Sequence, residues 1–233
     1  HFLHLEYILE SFYHILLKVF GWFFYILSHN IYKDFVLNKK VSAATNYDNS
    51  KTNLYTDGTL YDSRIGIPES TINALNQLIA NEHKIVMCTG RSKGMIPEEY
   101  FHMGFDGVIL GAGTYVEYEG KILHQELMTP EEVQTVIDWG KKQKIGIILE
   151  GEKYGYYDPE NTDDYYIAMK NKTEADCKTI LYPLNEAVDV PKWTYHHMEL
   201  SKKPEIEEIL GHKYKGTYHE PVNSVEFVPL GVN

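Results

Sequence analysis

The chain has 233 residues, room for one large domain or two small ones, and 43% of them are hydrophobic, ample for a core. A formal net charge of −11 argues against nucleic-acid binding, which favours basic stripes. The two cysteines, Cys88 and Cys177, lie far apart in sequence, so reduced thiols in a cytoplasmic protein are expected rather than a disulfide.

Residues 1–52 read as an apolar N-terminal extension (1–29) followed by a polar linker with Asn46, Asp48, Asn49 and Ser50. Within residues 1–50 acidic Glu6, Glu10, Asp34 and Asp48 balance basic Lys18, Lys33, Lys39 and Lys40, so the acidic excess lies in 51–233. Ser11–Ser28 is apolar but interrupted by His14 and Lys18, and it is short of the about 20 residues a spanning helix needs. Phe2, Leu5, Ile8, Phe12, Ile15, Val19, Phe23 and Ile26 recur at helical spacing. Three readings stay open: an amphipathic helix on a membrane surface, a helix docked on the domain, or an appendage of upstream sequence.

Leu54-Tyr55-Thr56-Asp57-Gly58-Thr59-Leu60 is an apolar run closing in an acidic and hydroxyl cluster. Pro68 suits a first helical turn, and Ile72, Leu75, Leu78 and Ile79 then repeat at helical spacing. Ile85-Val86-Met87-Cys88 reads as a strand buried on both faces and ends in Thr89-Gly90-Arg91. Leu54 to Cys88 is thus a strand–helix–strand unit with both polar clusters at strand carboxyl ends, where open α/β sheets bind ligands. Gly58 and Gly90 let the chain turn around an anion, while Thr59 and Thr89 offer hydroxyls beside freed backbone N–H groups. Gly107-Val108-Ile109-Leu110 is a third strand, and Tyr115–Gln125 alternates around Glu119-Gly120 like a hairpin.

Beyond residue 128 strands and helices mix, as in a sheet with helices on one face. Thr129 is the expected N-cap of a helix with Pro130 first and Glu131-Glu132 in its first turn; Val133, Val136, Ile137 and Gly140 are its buried face. Strands are expected at 145–149, 154–157, 193–200, 215–219 and 224–228, with a helix at 204–210. The acidic run Asp158, Glu160, Asp163 and Asp164 reads as a solvated loop, and Tyr154, Tyr156, Tyr157, Tyr165 and Tyr166 as strand packing. His196-His197 reads as ordinary strand residues, because neighbours on a strand point to opposite faces.

Residues 53–233 resemble the Cof-type phosphatases of the haloacid dehalogenase (HAD) superfamily. The resemblance rests on Asp57-Gly58-Thr59-Leu60 as motif one and Thr89-Gly90-Arg91 as motif two. It implies an α/β fold, a HAD-like (Rossmannoid) parallel-sheet core in two pieces with an inserted α/β cap. The first part of the core is then 53–128, the cap 129–224, and 225–233 the strand returning to the core. It also implies a magnesium-dependent phosphomonoesterase acting on small phosphorylated metabolites through an aspartyl-phosphate. Carried over residue by residue, Asp57 is the catalytic carboxylate and magnesium ligand. Gly58, Thr59, Thr89, Gly90 and Arg91 hold the phosphate.

Two departures bear on activity. Tyr55 stands two residues before Asp57, where the family has its nucleophilic Asp; if Asp57 is instead aligned as the nucleophile, the proton donor is missing. The chain also stops at Asn233, before the family's motif-three Lys and motif-four carboxylates, and is read as truncated. The expectation is therefore an impaired or inactive hydrolase, with a non-catalytic binding or interaction module as the alternative. Self-association is expected too, because apolar segments such as Val108-Ile109-Leu110 would lack neighbours.

Overall fold

Three short parallel strands set the frame. β1 (Lys51–Tyr55), β2 (Lys84–Cys88) and β3 (Gly107–Leu110) lie side by side, and the antiparallel hairpin of β4 (Tyr115–Tyr118) and β5 (Lys121–Gln125) continues the sheet in the order β1-β2-β3-β4-β5. This computed structural model describes residues 67–232 and the backbone of residues 51–55. Between β1 and β2 lies α1 (Glu69–Ala80), N-capped by Pro68, which buries Leu75 against Ile85. Among the described residues only one side of α1 is covered, since Ile72 and Ile79 are exposed.

The expectation that Val108-Ile109-Leu110 lacks neighbours is corrected here. β3 pairs with β2 on one side and β4 on the other, and all four of its residues are buried. The turn between β3 and β4 is the reason: Gly111 (φ 59°), Ala112 (φ 58°) and Gly113 (φ 101°) are all left-handed and reverse the chain, so that β4 runs antiparallel beside β3. Glu119 (φ 49°) and Gly120 (φ 73°), also left-handed, then turn β4 tightly into β5. The edge falls instead on β5, exposed along its whole length.

A second, six-stranded sheet follows. Its elements are α2 (Pro130–Gln143), β6 (Gly146–Glu150), β7 (Gly155–Tyr157), α3 (Asp164–Cys177), β8 (Leu181–Pro183), β9 (Lys192–His196), α4 (Lys203–Ile209), β10 (Tyr214–His219) and β11 (Ser224–Pro229). The order is β10-β11-β9-β6-β7-β8, antiparallel except for the pair β7–β8. Residues 225–229, expected to return to the first sheet, instead form an inner strand of the second. Alternation explains it: Val225 and Phe227 face the apolar core of this sheet, with Phe227 stacked on Trp193 at 4.8 Å between ring centroids.

The two faces of the second sheet differ. One carries Ile147, Leu149, Trp193, Tyr195, Val225 and Phe227 beneath α2 and α4. Contact with α2 is close, for a Cβ on Gly140 would lie 2.5 Å from Ile147 Cδ1 and 2.9 Å from Tyr195 Cε1. By alternation the other face carries Ile148, Glu150, Lys192, Thr194, His196 and Glu226. α3 packs there, with Tyr166 and Cys177 against Ile148, Leu181 and Met95.

α3 corrects two expectations at once. Tyr165 and Tyr166 begin a helix rather than line a strand, and Asp163 caps it by accepting from Tyr166 N–H at 2.8 Å. Asp158 is buried instead of solvated, with Lys141 Nζ 3.6 Å from its carboxylate and Tyr166 Oη accepting its N–H at 2.8 Å. No helix among the described residues is long and apolar enough to cross a membrane. Residues 1–29, with their membrane-surface reading, lie outside them.

Candidate active site

β1 and β2 end level with each other, since Tyr55 is the register partner of Cys88. The loop Thr89-Gly90-Arg91-Ser92 leaves β2 at that edge and is laced to the turn after β3. Thr89 N–H donates to Ile109 O at 2.9 Å, Gly111 N–H to Arg91 O at 2.8 Å, and Ala112 N–H to Thr89 O at 3.3 Å. Within the loop, Arg91 N–H donates to Thr89 Oγ1 at 3.2 Å, a hydroxyl-closed turn that fixes the side chain of Thr89. Asp57, Gly58 and Thr59 follow directly on β1 but lie outside the described residues. Thr89, Gly90 and Arg91 are therefore the expected site residues that the structure places.

The loop is held from the second sheet as well. Lys192 Nζ donates to Gly90 O at 2.7 Å, and Glu150 Oε2 accepts from Ser92 N–H at 3.2 Å. Arg91, expected on the phosphate, directs Nη1 to Asp176 O at 3.0 Å and Cys177 Sγ at 3.6 Å. A cation at the carboxyl end of α3 meets the negative end of the helix dipole. Beyond the loop, Gly94 N–H donates to Gly151 O at 3.1 Å. A Cβ on Gly94 would come within 2.4 Å of the Lys153 and Tyr154 backbone, so the two chains cross main chain against main chain.

Lys192 is 2% exposed and lies between two carboxylates, 3.1 Å from Glu150 and in contact with Glu226. Burial alone would push this ammonium down; Glu150 and Glu226 outweigh burial and hold it above its ordinary value. For Glu226 burial works upward, but Lys192 and His219, whose Nε2 lies 3.2 Å away, hold the carboxyl below the usual range. Cys88, at the end of β2, is driven the other way. Burial pushes its thiol up to about 12, so it packs as a neutral side chain.

Lys192, Glu150 and Glu226 were not among the expected site residues. A signal existed: each is a single charge inside or at one end of a short apolar strand, as in Val225-Glu226-Phe227-Val228. The strand expected over 193–200 ends at His196, so only the first of the two histidines is a strand residue. His196 is buried, whereas His197 is exposed, takes a left-handed φ of 60° and stacks on Tyr165 at 4.2 Å. A cleft of about 740 Å³ lined by Ile96, Phe101, Phe105, Val108, Glu152 and Lys178 does not include Thr89, Gly90 or Arg91, and so is separate from the loop. Among the described residues no group of three His, Cys, Asp or Glu side chains is placed to hold a metal ion. The magnesium implied by the resemblance thus finds no ligand set there.

Comparison with known proteins accords with this geometry. A family model described as haloacid dehalogenase-like hydrolase matches residues 56–233. YkrA of Bacillus subtilis (strain 168), which carries a provisional phosphatase name, is 23% identical over 96 residues, 41% of this chain and 37% of that protein. The match thus spans little more than a third of that relative. Among solved structures, a haloacid dehalogenase-like hydrolase from Bacteroides thetaiotaomicron superposes with a TM-score of 0.66 at 16% identity, covering 79% of this chain and 73% of its own. A HAD subclass IIB sugar phosphatase gives 0.59 at 19% identity, with 77% and 70% covered. A HAD/COF-like hydrolase from Plasmodium vivax gives 0.61 at 18%, with 79% and 69% covered. At these identities the structures establish the fold, a HAD-like α/β core with a cap. The sequence match over residues 56–233 establishes the family: the chain belongs to the haloacid dehalogenase-like hydrolases.

Proposed function

We propose that this chain binds the phosphate of a small phosphorylated metabolite at the ends of β1 and β2, on a phosphomonoesterase scaffold whose hydrolytic step is impaired. The observation that carries the reading is the Thr89 turn, which presents a fixed hydroxyl at the carboxyl edge of a parallel sheet, level with Tyr55. Gly58 and Thr59 are assigned to the same anion from the sequence. Arg91 serves by anchoring the loop to α3. A sugar phosphatase among the proteins of similar fold supports phosphorylated sugars or metabolites of like size.

Impairment rests on Tyr55. In the family reaction a carboxylate attacks phosphorus to give an aspartyl-phosphate, which water then hydrolyses. A phenol of pKa about 10 is neutral at pH 7 and is a poor ligand for a hard cation such as magnesium. Asp57 is left either as acid/base without a nucleophile or as nucleophile without a donor. If turnover is absent, the chain acts as a phosphate-binding module.

The test is a titration with inorganic phosphate, following the backbone amide resonances of residues 89–92. These should shift saturably, and Thr89→Val should weaken binding about fivefold, the worth of one hydrogen bond. Unmoved resonances would overturn the site. p-Nitrophenyl phosphate should not be turned over, whereas a rate near ~1 per second, ordinary for enzymes, would overturn the impairment.

A further inference from the structure

We infer that Lys192 is the positioning residue of the phosphate loop: it fixes the Gly90–Arg91 peptide, and through that peptide the aim of the Thr89 hydroxyl. The inference rests on the proposed reading of Thr89 as a phosphate ligand. The Gly90 carbonyl and the Arg91 N–H belong to one planar peptide group and point in opposite directions. Lys192 Nζ holds the oxygen end at 2.7 Å, and Thr89 Oγ1 holds the N–H end at 3.2 Å. A rotation of this peptide breaks both bonds together. A hydroxyl that accepts from Arg91 N–H turns its own proton away from that N–H, which leaves the proton to donate to a phosphate oxygen.

The alternative is that Lys192 only neutralises Glu150 and Glu226. An ammonium has three donors, and here they are divided among Glu150, Glu226 and Gly90 O. The carbonyl therefore faces two carboxylates with the cation between them. Without the cation those charges repel the carbonyl dipole and drive the peptide to rotate. The lysine itself does not drift, because its stem is buried and Glu226 is held in turn by His219. Glu150 takes Ser92 N–H from the same cluster, so the peptides on both sides of Arg91 are held by β6 and β9. A side chain of the second sheet thus orients a ligand group on the first.

The test pairs Lys192→Met with Glu226→Gln, which keeps the formal charge of the three groups at −1, since (+1) + (−1) + (−1) becomes (−1) for Glu150 alone. Slow exchange at β6 and β9 amides shows that the fold persists. If the pair unfolds, Lys192→Gln with Glu226→Gln is read in the same way, its amide being too short to reach Gly90. The expected results are Arg91 amide exchange at least about tenfold faster and inorganic phosphate bound about tenfold more weakly. In a Thr89→Val background the same pair should change phosphate affinity less than about twofold, because the route through Thr89 is already cut. Unchanged exchange at Arg91 would overturn the inference, and so would an equal loss of affinity in both backgrounds, the mark of a merely structural role. If wild type does not bind phosphate at residues 89–92, the reading of the site fails, and Arg91 exchange alone decides whether Lys192 holds the peptide.

Discussion

His196 shows what burial does to one imidazole. It is 5% exposed, its Nδ1 has no partner among the described residues, and burial, helped by neighbouring His197, pulls its pKa from 6.5 to about 4. The folded value lies below the unfolded one, so the unfolded chain binds the proton first. His196 therefore contributes full stability above pH 6.5, and that contribution shrinks as pH falls toward 4. Between pH 7.5 and 5 the loss should be about 2 kcal/mol in urea unfolding, and His196→Gln should remove it. Equal pH slopes in the two proteins would contradict this. Cys88 gives a second check: with its thiol near 12, native protein should resist iodoacetamide at pH 8, and complete labelling within minutes would show an accessible thiolate. Single residues were partly legible in sequence. The packing role of Cys88 followed from its apolar strand, but the grip of Lys192 on Gly90 did not, because it joins residues 102 positions apart.

At the scale of the element, α2 was legible to its cap. Glu132 N–H donates to Thr129 Oγ1 at 3.2 Å and Thr129 N–H to Glu132 Oε2 at 2.9 Å, a reciprocal box that local sequence alone specifies. Thr129→Ala should cost about 1 kcal/mol in denaturant unfolding. Gly140→Ala should cost about 1–3 kcal/mol by overpacking, despite alanine's better helix propensity; a gain in stability would mean that Ile147 and Tyr195 yield easily. α3 was illegible for an equally physical reason. Only Tyr166 and Cys177 are buried on it, so it shows no apolar stripe. It is held instead by its Asp163 cap, by the Lys170–Glu174 pair at 2.7 Å, and by Tyr166 Oη donating to Ile147 O at 2.6 Å. The cap and the ion pair are local but weak signals without a stripe, and the Tyr166–Ile147 bond becomes visible only once the sheet exists.

Across the whole molecule, the strand–helix–strand unit and the hairpin followed from runs of apolar residues and one Glu-Gly turn. What the sequence hid was which sheet each later strand joins. β11 reads like any apolar strand, and pairing at long separation in sequence placed it between β10 and β9. Broad-specificity proteolysis should accordingly cut early within β5, which is exposed along its length, and late within Ser224–Pro229. Early cleavage in that second stretch would show that β11 is not an inner strand.

Gly94 carries a consequence for variation. Where two main chains cross with no room for a Cβ, no rotamer or neighbouring side chain can make space, and any substitution must move backbone. A library randomised at codon 94 and selected for soluble expression should return glycine alone. Gly120 and Gly211, where an added Cβ meets nothing within 4 Å, should admit Asn and Asp despite φ of 73° and 63°. Tolerance to drift is then narrowest at the crossing between the sheets, where a single hydrogen atom is all the side chain that fits.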